Sequence, residues 1–99
     1  MPEENSPLPA ELVAEIPVLI PYLLQAGWEI FEFRYEPETF GNWYVDFFRS
    51  SRNIRLVKDR SQYFVNAPKA DLEAAGMSHV FTNATEFQQS VIDGIKHLE

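Results

Sequence analysis

Apolar residues early in the chain fall at Leu12, Val13, Ile16, Leu19, Ile20, Leu23 and Leu24, spacings that lay one stripe along an amphipathic helix. Gly27 ends that stripe. Pro17 has no N–H and crowds the turn before it, so the pattern predicts a break near Glu15 and a second short helix with Pro17 as its first residue. Residues 1–9 carry Pro2, Pro7 and Pro9 with little apolar content, the pattern of a flexible leader, which leaves 10–99 as a single domain.

The period then changes. Between Trp28 and Phe64 lie 11 of the 14 aromatic residues, in runs bounded by turn residues, and enrichment of this kind reads as sheet. Four strands are predicted, over 28–35, 43–49, 54–59 and 63–66, and linkers this short force antiparallel neighbours in a meander. With all four residues of 50–53 in the loop, Arg49 pairs with Ile54. Val45 and Phe47 then share the core face with Ile54 and Leu56, while Tyr44, Asp46, Phe48, Arg55, Val57 and Asp59 take the opposite face.

After the sheet, Pro68 opens a short helical or irregular stretch over 69–75, ended by Gly76. Asn83, with Glu86 three residues on, starts a last helix, and Phe87, Val91, Ile95 and Leu98 keep helical spacing to the end. The expected fold class is therefore α+β: a four-stranded antiparallel meander sheet with N-terminal and C-terminal helices packed on one face.

Composition adds mainly exclusions. The 99 residues are 45% apolar and 23% charged, ordinary values for one globular domain. No cysteine is present, which removes disulfides, zinc thiolate sites, iron–sulfur clusters and thiol nucleophiles together. The longest apolar stretch, 16–24, contains two prolines and falls short of the ~20 residues that span a bilayer. With an acidic start in place of a basic leader, the expected location is cytoplasmic, with no membrane partner.

The net charge of −7 is unevenly spread. Residues 1–48 hold nine acids against Arg34 alone, whereas 49–60 hold Arg49, Arg52, Arg55, Lys58 and Arg60 against Asp59. Cations alternating with Ile54, Leu56 and Val57 describe the solvated face of a strand. The same five describe a phosphate-binding segment, with Tyr44 or Phe64 stacking on a small molecule or a single-stranded nucleic acid. An acidic protein repels a phosphate backbone, so nucleic acid is the lesser expectation.

Residues for catalysis are scarce. His97 follows Asp93 by one helical turn, but two ligands do not make a metal site, and a helix-end pair explains the spacing. His79, in an apolar connection with Met77, Val80 and Phe81, reads as a partly buried residue bonded to backbone. Ser50, Ser51 and Ser61 lack a nucleophile elbow, the four glycines are too dispersed to cradle phosphate, and Glu36 and Glu38 flank a turn proline. No catalytic residue, metal or cofactor is expected, and the protein reads as non-enzymatic.

The stronger signal is the face the helices leave over. Tyr44, Phe48 and Phe64, with Trp28 or Trp43 at the margin and Glu32, Arg34, Asp46 and Arg55 among them, have the aromatic and arginine content of binding hot spots. Trp43, Tyr44, Phe48, Arg55 and Arg60 are the candidate binding residues for another protein, with a second copy of the chain, giving a homodimer, as the nearest rival.

The order helix, aromatic meander, helix, together with Phe40-Gly41-Asn42 and the run from Arg55 through the Asp59-Arg60-Ser61-Gln62 turn to Val65, resembles small uncharacterised bacterial α+β proteins of toxin-immunity-like type. That resemblance spans Leu12 to Leu98. It implies a cytoplasmic binder with no catalytic residues, one that blocks a basic toxin or nuclease by occupying its surface.

Overall fold

Pro17 does divide the N-terminal stripe. In the computed structural model, which describes residues 8–68, 72–73 and 79–98, the elements are α1 (Ala10–Glu15), α2 (Leu19–Gln25), β1 (Glu29–Glu36), β2 (Asn42–Arg49), β3 (Arg52–Asp59), β4 (Gln62–Asn66) and α3 (Ala84–Leu98). The second helix begins at Leu19, two residues later than expected from Pro17. The reason is tertiary: Oε1 of Gln88 on α3 accepts the N–H groups of Val18 and Leu19 at 2.9 and 3.0 Å, which sets where α2 starts. Pro21 then falls in the first turn, where its missing N–H has no intrahelical partner to lose.

α2 ends in a Schellman motif. The Trp28 N–H donates to the Leu23 carbonyl at 3.0 Å and the Gly27 N–H to that of Leu24 at 3.2 Å, with Gly27 at φ +95°. That reversal sends Trp28 into the core and the chain into β1.

The sheet is a four-stranded antiparallel meander in the order β1-β2-β3-β4. Its hairpins are tighter than expected. β2 and β3 are joined by Ser50 and Ser51 alone, so Arg49 pairs with Arg52 and Phe47 with Ile54, two residues from the register read off the sequence. A shift of two preserves side-chain parity, so every residue of both strands keeps its expected face. Ser50 at φ +56° makes this turn, and Arg60 and Ser61, at +53° and +69°, make the next in the type I′ sense that matches strand twist. β1 carries a bulge at Phe31, between the pairs Ile30 with Phe47 and Glu32 with Asp46.

The covered face of the sheet and the helices share one core. Val45, Phe47, Ile54 and Leu56 pack with Leu12, Ile16, Leu19, Ile20 and Leu23 of the N-terminal helices and with Phe87, Val91 and Ile95 of α3. Leu8, counted with the leader in the sequence reading, is buried in this cluster, while residues 1–7 of that leader lie outside the described residues. Most of 69–75 likewise lies outside them; Leu72 and Glu73 are helical, and the Leu72 N–H donates to the Pro68 carbonyl at 3.1 Å. Asn83 caps α3 as its spacing predicts, its Oδ1 accepting the Glu86 N–H at 3.0 Å. Among the described residues no helix is long and apolar enough to cross a membrane.

Candidate functional site

Antiparallel pairing places cross-strand partners on one face, so the register writes out the surface that no described helix covers. One row runs Glu32, Asp46, Arg55, Asn66; the next runs Arg34, Tyr44, Val57, Phe64; a third pairs Glu29, Phe48 and Asn53. Within the first two rows the polar groups bond to one another. Arg55 grips Asp46 through both oxygens, at 2.6 and 3.0 Å, and its guanidinium lies 4.0 Å from the Tyr44 ring centre. The Tyr44 hydroxyl donates to Glu32 at 2.7 Å. The result is a continuous line from Glu32 through Tyr44 and Arg55 to Asp46, crossing three strands.

Apolar area flanks this line. The bulge turns Phe31 outward, 72% exposed, its ring edge-on to Phe48 with centroids 6.3 Å apart. Toward the other side Tyr44, Val57 and Phe64 floor a shallow depression of about 340 Å³ rimmed by Arg34, Glu36 and Asp59.

Electrostatically the face is acidic. Glu29, Glu32, Glu36, Asp46 and Asp59 outnumber Arg34 and Arg55, and each arginine already has a carboxylate partner, Arg34 on Glu36 at 3.2 Å. Those bonds raise both guanidinium pKa values, keeping the groups charged at every physiological pH. The Glu32 bond and partial burial raise that of the Tyr44 hydroxyl.

Of the candidate residues, Tyr44, Phe48 and Arg55 come together here. Trp43 does not. Its parity is that of Val45 and Phe47, so it lies on the covered face, 2% exposed, with Nε1 donating to Glu15 at 3.4 Å. Trp28 is buried as well. Arg60 sits in the β3–β4 turn, its guanidinium 5.9 Å from the Phe40 ring and 4.0 Å from Asp59 rather than on Asp46 or Glu36.

The basic segment disperses in the same way. Lys58 faces the covered side and meets Glu15 at 3.0 Å, Arg49 lies beside Gly27, and Arg52 pairs with Arg49 across the hairpin, while Arg55 alone of the strand's cations is on the open face. The sequence reading missed Phe31. Its signal was the adjacent pair Ile30-Phe31, where strict alternation fails.

The histidines stand apart from this face. His79 is exposed, contrary to the partly buried position expected, with its ring 6.3 Å from that of Phe81. His97 Nδ1 donates to the Asp93 carbonyl at 3.0 Å, while the Asp93 carboxylate accepts from Gln89, so the two side chains do not converge. Among the described residues no group of three His, Cys, Asp or Glu is placed to hold a metal ion.

Comparison with known families, curated proteins and solved structures found no match for the chain. The open face therefore carries the functional argument on its own chemistry.

Proposed function

We propose that this protein is a non-enzymatic binding module whose open sheet face docks another protein, and that the partner is basic, of the toxin or nuclease type that the immunity-like resemblance implies. The observation that carries this reading is the run of exposed Phe31 and half-buried Phe48, Tyr44, Val57 and Phe64 set among five carboxylates on the side opposite the helices. Aromatic anchors supply contact area at low entropic cost, and a surplus of acids steers a basic surface toward them and rejects acidic ones. Arg55, over the Tyr44 ring and held by Asp46, presents a fixed polar centre for such a contact.

The test is affinity capture from the source cell with the wild-type chain and with a Phe48→Asp, Arg55→Glu variant, followed by reconstitution with the purified captured protein. The expected result is a basic protein that binds the wild type stoichiometrically and the variant at least ~100-fold more weakly, the loss of two hot-spot side chains. Equal affinity for both chains refutes the reading. A single-stranded oligonucleotide at low salt serves as the competing ligand, and retention on it that fades steeply with added salt would favour nucleic-acid binding instead.

A further inference from the structure

The two edges of the sheet differ, and the difference concerns main chain. In an antiparallel ladder successive residues bond alternately to the strands on either side. The two-residue turns fix the phase, because Arg49 with Arg52, and Asp59 with Gln62, flank them as bonded pairs. Trp43, Val45 and Phe47 then bond to β3, and Tyr44 and Asp46 to β1. On β4 the alternation turns Tyr63 and Val65 outward; the N–H and C=O of Tyr63 pair with Phe81 at 2.7 and 2.8 Å, and Val65 is buried, 6% exposed. On β1 it turns Phe33 and Tyr35 outward, and no described residue pairs with them.

From this asymmetry we infer that the outer edge of β1 accepts an extended basic segment of the partner as a fifth strand, hydrogen-bonded to Phe33 and Tyr35. The inference rests on the protein-binding reading and names its mode. A strand added there sets two apolar residues beside Phe33 and Tyr35 on the covered side of the sheet, where both side chains are half-buried at the rim of the core. Its alternate residues emerge on the open face beside Glu32, Arg34 and Glu36. The complementary pattern is basic, apolar, acidic, apolar, basic.

A second copy of β1 fits less well. The antiparallel register that pairs Phe33 of one copy with Tyr35 of the other sets Arg34 against Arg34 and Glu32 against Glu36. Registers centred on Phe33 or Tyr35 run at once into the Phe31 bulge or into Pro37, which has no N–H to give.

The probe is the peptide acetyl-Gly-Lys-Val-Glu-Val-Lys-Gly-amide, titrated into the intact protein while the amide exchange of each residue is followed by NMR. On saturation, exchange at Phe33 and Tyr35 is expected to slow by about tenfold or more, the response of newly bonded amides. A peptide with both valines N-methylated, which has lost the donors, should leave those rates unchanged, and one with glutamate for lysine should bind about tenfold more weakly. Shifts confined to Tyr44, Val57 and Phe64 with no protection of Phe33 and Tyr35 overturn strand addition and leave face docking standing. Protection that grows with protein concentration in the absence of peptide overturns it in favour of a second copy. No binding of the peptide at millimolar concentration overturns it as well.

Discussion

Gln88 on α3 holds the first free N–H of α2, that of Leu19, at 3.0 Å, across 69 positions of sequence. The same oxygen takes the Val18 N–H, so one side chain satisfies two donors at a helix start with no cap from its own flanking residues. Gln88→Leu keeps the volume and removes both acceptor bonds, leaving the buried N–H of Leu19 and the partly buried N–H of Val18 unpaired. It is expected to lower unfolding free energy by about 2 to 3 kcal/mol, measured by urea denaturation, with Gln88→Glu less harmful because it keeps the acceptor.

Lys58 is only 14% exposed and lies 3.0 Å from Glu15, which also accepts from Tyr63 and Trp43. Glu15→Ala strips three donors of their acceptor and leaves the ammonium half-buried without its partner. A loss of about 2 to 3 kcal/mol is expected, below the range for a fully buried pair because Glu15 retains some contact with water. Lys58→Met should cost about 1 kcal/mol or less, since Glu15 keeps its other two donors. Thermal denaturation of the two variants side by side reads the difference.

Burial, followed by the nearby Glu15 carboxylate, raises the pKa of the Tyr63 hydroxyl above its ordinary 10.0. The neutral phenol is thus favoured in the folded state, and its contribution is complete below pH 10 and is lost as pH rises through the folded value. Wild-type stability should fall more steeply above pH 10 than that of Tyr63→Phe, compared by urea midpoints taken stepwise on either side of that pH. Parallel slopes would show that Tyr63 does not titrate differently in the two states.

The β3–β4 turn places Arg60 and Ser61 in the left-handed region, where residues with a Cβ are strained. Replacing the pair by Asn-Gly suits the same type I′ geometry and is expected to raise stability by about 1 kcal/mol. The Arg60 N–H bond to Asn42, at 2.8 Å, is main-chain on the donor side and survives the exchange.

Arg55→Ala removes a side chain that is 40% exposed but leaves Asp46, only 16% exposed, without the partner that holds both its oxygens. A loss of about 1 to 2 kcal/mol is expected by urea denaturation, limited because Asp46 can regain water at the surface, leaving a folded variant with an altered open face.

Much of this architecture was readable in residue order. Period-two alternation in β2 and β3 assigned each side chain to a face, and the assignment survived a two-residue error in pairing because parity survives it. The candidate site was readable to the same depth: Tyr44, Phe48 and Arg55 follow from parity, and by the same rule Trp43 belongs with Val45 and Phe47, so hot-spot composition overruled a pattern that was already visible. What could not be read was anything set by distant partners. Gln88 fixes the start of α2, Glu15 absorbs the charge of Lys58, and Leu8 finds the core, each through contacts no local pattern records.

The bridge between Tyr63 and Phe81 has a consequence for stoichiometry. A sheet with both margins bare could pass strands from molecule to molecule and grow without limit. Here Phe81 already occupies the β4 margin at Tyr63, so the strand addition inferred at β1 would leave the far margin blocked there, and the expected complex holds one guest per molecule instead of propagating into a fibre.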